Sequence, residues 1–552
     1  MDTQVMFHCL GMPKKDYFKK VVIPVFIMAI IFPFLIIILA PSIAQGDMLT
    51  AIVLVPFALL TAVAVYPISS IEGRKKDINN NMHYFITHMG VLATSQMTRI
   101  DVLRQLSKNE AYGYLAKETG RIYALIRYWH LNFPVACRFI AKRTPSIIFS
   151  DFLDRMAHAV QSGEDFEKFI IDEQVVVMND FMTMYKDSLN SIDMLKEMFV
   201  SMCMSLIMLV SFAIIMPIIT GMNATFLVTG AIVLFLMTEL AILMYARSVV
   251  PTDRIWHTLE IETSADRRIK WSMPFSMAIC IILTGILIVF TTLPTTIMFA
   301  LSLTPLLITG LIARTEENKI KRYDNNFGAF IRSLGGAAGS RSGLILESLK
   351  ELVSHDFGPL SENITNLYKR LRTRINPKRS WEHFAAGTGS NLVERFATMF
   401  VEGTAVGGKP GIIGDIIGRN FMYILSMRKL RYSSAASLTG VLYGLTAGIG
   451  ATMFLAVSII SMLGTLFAGV ITPDIDIGIS MSAIINTDVN LLTTMLMFMM
   501  VGHSLISAML IRVVDGGHHF NTYTHFVGLV WVSAIAAEVT MRSMGPLLGT
   551  TG

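Results

Sequence analysis

Charged residues are scarce in this chain. Asp, Glu, Lys and Arg make up 16% of its 552 residues, hydrophobic residues make up 53%, and the mean hydropathy is +0.56. A typical soluble domain has about 25% charged residues. The composition therefore excludes an ordinary soluble protein and indicates that lipid is part of the solvent around the chain.

Cysteine is also scarce, which limits the chemistry open to the chain. Cys9, Cys137, Cys203 and Cys280 show no spacing typical of metal ligands. The sequence also carries no local signature of a catalytic nucleophile and no cofactor loop. We therefore expect no enzymatic activity, no metal and no cofactor.

Long apolar runs, by contrast, are abundant. A helix needs about 20 apolar residues to cross a hydrocarbon core about 30 Å thick. Nine runs of this kind are present, near residues 21–40, 48–71, 199–219, 225–246, 273–293, 295–313, 434–463, 491–511 and 526–541. The sequence therefore predicts an all-α polytopic membrane protein with about nine transmembrane helices.

Basic residues are almost absent from one side of the predicted membrane. With the N-terminus in the cytoplasm, 45 of the 46 Lys and Arg residues fall on the inside, and only Arg542 falls outside. Positively charged loops stay in the cytoplasm during insertion. We therefore expect a multi-pass protein of the cell membrane with a cytoplasmic N-terminus and an external C-terminus.

Two long polar stretches, 72–198 and 314–433, interrupt the apolar runs. Each is long enough for a separate domain, and their apolar residues recur at helical spacing. The stretches resemble each other at an offset of 245 residues, which indicates duplicated cytoplasmic helical-bundle domains. The matched pairs include Phe85 and Phe330, Gly90 and Gly335 and, after a five-residue gap, Gly163 and Gly403.

The remaining segments form the predicted membrane part. Residues 1–71 hold the cytoplasmic N-terminus and a first membrane hairpin. Residues 199–313 hold four central membrane helices, with a cytoplasmic connector at 247–272. Residues 434–552 hold the last three helices.

Charge is distributed unequally between the two predicted domains. The first has 16 basic and 16 acidic residues, whereas the second has 19 basic and 11 acidic residues. An excess of basic residues is typical of a surface that binds an acidic protein face or anionic lipid headgroups. The alternative is a helix surface that is only solvated. No nucleic-acid recognition motif accompanies the excess. The excess is concentrated in a segment that we name the basic run: Lys369, Arg370, Arg372, Arg374, Lys378 and Arg379.

Three glycines in the seventh apolar run form a second candidate interaction site. Gly440, Gly444 and Gly448, named the glycine stripe, make two successive small-xxx-small steps. Such steps let another helix backbone approach closely. The stripe therefore packs inside this chain or forms the seam of a homodimer.

Two further patterns resemble ligand sites. Gly403, Gly408 and Lys409 match part of a phosphate-binding loop, but Pro410 replaces its Ser or Thr and a helix is predicted where a strand should precede it. We interpret this pattern as a glycine-rich turn. The histidines between Asp515 and His525 could bind a metal, but a turn between two membrane helices explains the neighbouring glycines equally well.

Few ionisable residues fall inside the predicted spans, which is atypical of a transporter. Glu239 and His503 are interpreted as residues that pack between helices or lie at the interface. Glu538 is spaced to pair with Arg542 four residues later.

The duplicated bundle carrying Phe85 and Gly90, and again Phe330 and Gly335, is similar to the F-type domains of type II secretion and type IV pilus platform proteins. The nine predicted helices, the two domains in one chain and the Asp-Gly-Gly loop at 515–517 resemble the archaellum branch of that family. The resemblance covers essentially the whole chain.

This resemblance implies a non-enzymatic membrane platform in a machine for motility. Its expected partners are a cytoplasmic hexameric ATPase, filament subunits and other motor-complex proteins, besides membrane lipids. The platform would couple nucleotide-driven movement to subunit insertion and filament rotation, and the basic run is then the candidate site for ATPase docking. The alternatives are an adhesive pilus or secretion platform within the family, and a secondary transporter outside it.

Overall fold

The structure is a computed structural model that describes residues 14–27, 47–220, 224–251, 253–340, 344–468 and 488–544. Within these residues the secondary structure is helical, apart from one isolated antiparallel bridge between Trp256 and Ser390. The predicted all-α fold class is confirmed.

The helices are labelled here in chain order, after a short turn of helix at Lys14–Tyr17 that continues as a π-helix at Phe18–Val22. The first group is α1 Asp47–Ala93, α2 Arg99–Ser107, α3 Tyr114–Arg127, α4 Phe133–Ala141, α5 Ile147–Gln161, α6 Phe166–Thr220 and α7 Ala224–Val249. The second is α8 Ser264–Phe290, α9 Thr295–Leu303, α10 Leu306–Ser340, α11 Ile345–Leu352, α12 Ser361–Arg372, α13 Pro377–Thr388, α14 Asn391–Ala405, α15 Pro410–Ala468, α16 Val489–Asp515 and α17 Thr522–Met544.

Six of the described helices are long and apolar enough to cross a membrane. A seventh span follows if α9 and α10, which bend by 45° at their junction, are one span. Pro305 lies at this bend, where its missing N–H and its ring interrupt helical hydrogen bonding. The predicted span at 21–40 lies mostly outside the described residues, as do the side chains at 48–65. The count of nine spans stays a prediction.

The chain divides into two compact units. The first consists of Met1–Thr183, Arg332–Ile345 and Met399–Asn420. Its core includes an aromatic cluster in which the Phe85 ring lies 5.8 Å from Tyr112 and 6.2 Å from Phe149, with edge-on geometry in both pairs. Ser146 caps the start of α5, because its side chain accepts a hydrogen bond from the Phe149 N–H.

The second unit consists of Met184–Ile331, Leu346–Thr398 and Phe421–Gly552. It contains a second aromatic cluster, centred on Phe330. The rings of Phe357 and Phe384 lie 5.5 and 5.8 Å from Phe330. Phe85 and Phe330 correspond to each other in the internal repeat of the sequence. Each of them therefore lies in an aromatic cluster.

Glycine conformations give independent support for the internal repeat. Gly113 and Gly358 lie 245 residues apart, and both have positive φ, at 54° and 59°. Glycine adopts this region without the steric cost that a Cβ brings. Further along the chain, α14 begins 244 residues after α5 begins and ends 244 residues after α5 ends. Gly407, with φ 83°, therefore corresponds to Gly163, with φ 78°, and the sequence pairing of Gly163 with Gly403 is corrected.

Candidate functional site

The basic run lies in the second unit. It covers the end of α12, the turn that follows and the start of α13. Arg374 adopts a left-handed conformation with φ 58° in that turn, and the Ile375 N–H donates to the Arg370 carbonyl at 3.2 Å. Arg370 is half-buried, and the other five side chains are exposed. The fold thus exposes five of these six basic side chains within one short helix–turn–helix segment.

Internal neutralisation of the basic run is weak. Within the described part of the chain, no carboxylate lies within 4 Å of the charged groups of Lys369, Arg370, Arg372, Arg374 or Arg379. The positive charge of these five residues is therefore available to an external partner.

The glycine stripe lies along an open apolar groove. Gly440, Gly444 and Gly448 are exposed, and among the described residues no heavy atom lies within 4 Å of the place where a Cβ would be. The stripe and its neighbours on α15 form one wall of the groove. The other wall belongs to α6 and includes Met204 and Met208. The interpretation of the stripe as a homodimer seam stays a prediction.

A different glycine brings α15 close to its neighbour α17. A Cβ at Gly450 would lie 3.2 Å from the Ser533 carbonyl oxygen and 3.3 Å from the Ala536 Cβ. Internal packing of α15 in the second unit therefore uses Gly450, which the small-xxx-small pattern does not include.

A buried ionic cluster joins three segments where polar sequence changes to apolar sequence. Arg428 on α15 is 1% exposed and binds Asp253, in the connector between α7 and α8, and Asp324 on α10. Arg431 donates to the carbonyl oxygens of Val514 and Val513, at 2.6 and 3.0 Å. We name this cluster the Arg428 junction.

The connector is also tied to the start of α14. The His257 N–H donates to the Gly389 carbonyl, and the Asn391 N–H donates to the Ile255 carbonyl, both at 2.9 Å. Thr258 donates to the Glu394 carboxylate through its N–H and its hydroxyl, at 2.8 and 2.9 Å. The described residues of the predicted connector at 247–272 therefore belong to the second unit, and those from Ser264 onward form the start of α8.

Sequence reasoning missed the Arg428 junction, although one signal for it exists. Asp324 falls on the same helical stripe of α10 as the buried residues Ile320 and Phe327. A carboxylate on an otherwise apolar stripe needs a buried partner. The partner cannot be identified from spacing, because Arg428 lies 104 residues away.

The loop from Asp515 to His525 has a structural reason for its glycines. Gly516 has φ 80° and ends α16, and a Cβ at Gly517 would lie 2.8 Å from Oε1 of Glu317. The His518 N–H donates to that Glu317 carboxylate, and Asn521 donates to it at 2.7 Å.

The three imidazoles of this loop have different partners. His518 Nδ1 accepts from the Phe520 N–H, His519 Nε2 accepts from Arg512, and His525 Nδ1 lies 3.5 Å from the Tyr443 hydroxyl. Burial lowers the pKa of His518 to about 4, and the positive charge of its neighbours adds to the shift. Among the described residues no group of three His, Cys, Asp or Glu side chains is arranged to hold a metal.

The segment that resembles a phosphate-binding loop begins at Gly403 in the last turns of α14, and Gly408 and Lys409 lie in the turn before α15. A Cβ at Gly408 would lie 2.8 Å from the Gly403 carbonyl oxygen. Lys409 Nζ lies 3.3 Å from Oε1 of Glu167. The helix predicted before this segment is confirmed. The predicted pair of Glu538 and Arg542 is also confirmed, at 2.7 Å.

Comparison with known proteins decides the family. The model of "Type II secretion system (T2SS), protein F" matches residues 85–217. "Flagella accessory protein J" of Methanocaldococcus jannaschii is 35% identical over 98% of this chain and 97% of its own length. The protein of the same name from Methanococcus voltae is 34% identical over 98% of each chain. The chain belongs to the flagella accessory protein J family.

Membership in the flagella accessory protein J family agrees with the resemblance found in the sequence. It assigns the chain an accessory role in the flagellar, or archaellar, apparatus as a multi-pass platform protein of the membrane. Neither relative's name indicates an enzymatic activity. No solved structure gives a significant match.

Proposed function

We propose that this chain is the membrane platform on which a cytoplasmic hexameric ATPase acts to assemble and rotate an archaellum. The platform couples the movement of the ATPase to the insertion and motion of filament subunits. The proposal rests first on two uninterrupted helices, α6 and α15, which combine a polar part and a membrane-spanning part.

The two helices are long enough to act as mechanical connections. Helix α6 has 55 residues and α15 has 59, so each extends over about 80 to 90 Å at 1.5 Å per residue. Each contains an apolar window suited to a membrane, with a mean hydropathy of 2.5 in α6 and 1.9 in α15. A force applied to the polar part of such a helix reaches the membrane without passing through a flexible linker.

The basic run is the proposed docking surface for the ATPase. Its side chains are mostly exposed, and within the described residues no carboxylate pairs with Lys369, Arg370, Arg372, Arg374 or Arg379. Opposite charge on a partner accelerates association and orients the encounter. An acidic face on the ATPase would therefore bind here in a salt-sensitive manner.

A charge-reversal experiment tests the docking surface. The quadruple variant Lys369→Glu, Arg370→Glu, Arg372→Glu and Arg374→Glu should reduce binding of the organism's own secretion ATPase to the purified membrane protein at least tenfold. The wild-type affinity should fall steeply as salt rises, and that of the variant should not. Affinity unchanged from wild type would reject this surface.

The matched control reverses four exposed basic residues of the first unit. Arg99→Glu, Arg104→Glu, Lys108→Glu and Lys142→Glu change the net charge by the same amount on exposed side chains. If the control variant loses ATPase binding to the same extent, net charge governs the attraction and the basic run is not the docking site.

Membership in the flagella accessory protein J family favours an archaellum over an adhesive pilus as the filament. Deletion of the gene should abolish swimming and archaellum filaments while leaving surface adhesion intact. Loss of adhesion with normal swimming would instead indicate a pilus platform. Solute flux through liposomes containing the chain without any ATPase would indicate a transporter.

We also propose that the N-terminus and both polar domains face the cytoplasm and that the C-terminus faces outward. The distribution of basic residues supports this orientation. In a variant without native cysteines, a single cysteine at Lys142 should resist a membrane-impermeant maleimide in intact cells, and one at Asp488 should react. The reverse pattern would overturn the proposed orientation.

A further inference from the structure

Four polar side chains form one hydrogen-bonded chain inside the membrane-spanning part of the second unit. Cys203 on α6 donates to Oε1 of Glu239 on α7 at 3.4 Å. The same oxygen lies 2.5 Å from Nδ1 of His503 on α16, and His503 Nε2 lies 3.1 Å from the Thr446 hydroxyl on α15. All four residues are fully buried. We name them the intramembrane chain.

The order of the intramembrane chain follows the internal repeat. Helices α6 and α15 are the long helices, and α7 and α16 are the next described helices after them. The hydrogen bonds therefore lead from α6 to α7, from α7 to α16, and from α16 to α15. The contact between Glu239 and His503 joins the two halves, although the two residues are 264 positions apart.

The geometry indicates one proton position of His503. The Thr446 hydroxyl lies 2.7 Å from the Leu442 carbonyl oxygen, to which it donates its single hydrogen. It must then accept from His503, so Nε2 carries a proton. The other nitrogen, Nδ1, faces Oε1 of Glu239. Thr446 therefore orients the ring that binds Glu239.

Two aromatic rings lie beside the fully buried side chain of His503. The rings of Phe235 and Phe199 lie 5.9 and 6.4 Å from its imidazole. The second oxygen of Glu239, Oε2, is buried and has no hydrogen-bond partner among the described residues. An ionisable pair in such a place is costly, and apolar residues of similar volume would usually hold the helices together at least as well.

Directional hydrogen bonds differ from apolar contacts in that they fix one register between helices. We propose that Glu239 and His503 act as positioning residues that set the register of α6 relative to α15, so that displacement of one long helix is transmitted to the other. This inference rests on the proposed platform function. It assigns a coupling role to residues that the sequence marks only as isolated polar positions within apolar helices.

Thr446→Val tests the inference with little change of volume. It removes the hydroxyl that orients His503 and should reduce the number of archaellum filaments per cell at least fivefold, while ATPase binding stays within twofold of wild type. Glu239→Leu should have a larger effect. Glu239→Gln, which retains a hydrogen-bonding carbonyl, should retain more assembly than Glu239→Leu.

Thr309→Val is the matched control. Thr309 is also buried, and its hydroxyl lies 2.8 Å from that of Ser276, but this bond joins α10 to α8 within one half of the repeat. Assembly in Thr309→Val should remain near the wild-type level. Equal losses in Thr309→Val and Thr446→Val would show that both hydrogen bonds serve stability alone and would overturn the proposal.

A reciprocal exchange separates positioning from packing. The double variant Glu239→His and His503→Glu restores an imidazole–carboxyl contact, and it should assemble more filaments than either single variant. Failure of this rescue, with normal melting temperature and membrane content of the double variant, would count against a shared register bond. If the wild-type chain does not bind the ATPase, the proposed platform function is refuted. If all these variants assemble filaments normally, only the coupling role of Glu239 and His503 is refuted.

Discussion

Arg428 binds Asp253 through two nitrogen atoms, with Nε 2.6 Å from one carboxylate oxygen and Nη2 2.8 Å from the other. Its third nitrogen, Nη1, lies 3.2 Å from Asp324. One guanidinium therefore connects α15 to the connector and to α10 at the same point. The planar fork of arginine makes this geometry possible, and the compact ammonium of lysine does not reproduce it.

Replacement of Arg428 by Met should strongly destabilise the second unit. The substitution leaves two carboxylates without their shared cation in a buried site, and losing one partner of such a pair costs about 3–5 kcal/mol. The free energy of unfolding in detergent should fall by that amount, measured from a thermal or denaturant transition followed by tryptophan fluorescence. Arg428→Lys should recover only part of the loss.

An exposed ion pair provides the comparison. Arg542 is 73% exposed and pairs with Glu538 one helical turn away. Arg542→Met should change the unfolding free energy by less than about 1 kcal/mol, because exposed pairs contribute little. An Arg428→Met variant as stable as Arg542→Met would contradict the role assigned to the Arg428 junction.

His88 should make the first unit sensitive to acid. Its side chain is fully buried, with Nδ1 2.9 Å from the Tyr112 hydroxyl and Nε2 3.3 Å from Glu402. Burial lowers its pKa from 6.5 to about 4. Between these values the unfolded chain binds a proton that the folded chain does not, so stability falls as pH falls from 6.5 towards 4.

The slope from this single group is at most about 1.4 kcal/mol per pH unit. His88→Gln should flatten the decrease in melting temperature between pH 6.5 and pH 4.5. His158→Gln, which replaces an exposed histidine of the same unit, should leave it unchanged. Identical pH profiles for His88→Gln and wild type would show that another group causes the acid sensitivity.

Local patterns in the sequence predict the helices but not the contacts between distant residues. The sequence predicts that Phe85 and Phe330 lie in duplicated helical bundles, and the structure buries both completely. Hydropathy also identified Glu239 and His503 as polar positions in apolar helices. It could not show that they meet, because their contact depends on how α7 packs against α16 and not on the residues around either position.

Glycine spacing has a similar limit. The pattern of Gly440, Gly444 and Gly448 satisfies the rule for close helix packing, yet no described residue covers them. Gly335, Gly339 and Gly343 have the same four-residue spacing, yet Gly335 does face a neighbouring helix at short range. So does Gly450, which has no glycine four residues away. Which face of a helix is covered depends on the neighbouring helix, and a single sequence does not contain that information.

Gly335 should tolerate no side chain. A Cβ there would lie 2.6 Å from the Pro410 carbonyl oxygen and 2.7 Å from the Gly414 Cα, both of which are backbone atoms that cannot rotate away. Gly335→Ala should therefore separate the two helix segments and destabilise the first unit by about 1–3 kcal/mol. The fall in melting temperature of the purified protein measures this effect.

The next residue is an internal control for that substitution. Gly336 is exposed, and among the described residues nothing lies within 4 Å of its hypothetical Cβ. Gly336→Ala should be neutral or stabilise the helix by up to about 1 kcal/mol, because alanine favours helix more than glycine does. Equal destabilisation by both substitutions would rule out close backbone packing as the reason for Gly335.

Gly444 and Gly450 should respond in opposite ways to the same substitution, although both lie on α15. Gly444→Ala adds a methyl group where the described structure is open, so the melting temperature should stay constant or rise. Gly450→Ala adds the methyl group 3.2 Å from the Ser533 carbonyl oxygen and should lower the unfolding free energy by about 1 kcal/mol or more.

The contrary outcome would be a loss of stability in Gly444→Ala as large as that in Gly450→Ala. It would show that another helix covers the glycine stripe in the folded protein. Light scattering in detergent would then show whether the covering helix belongs to a second copy or to the same chain. If Gly444→Ala loses a dimer that the wild type forms, the helix belongs to a second copy. If the mass is unchanged, the helix belongs to the same chain.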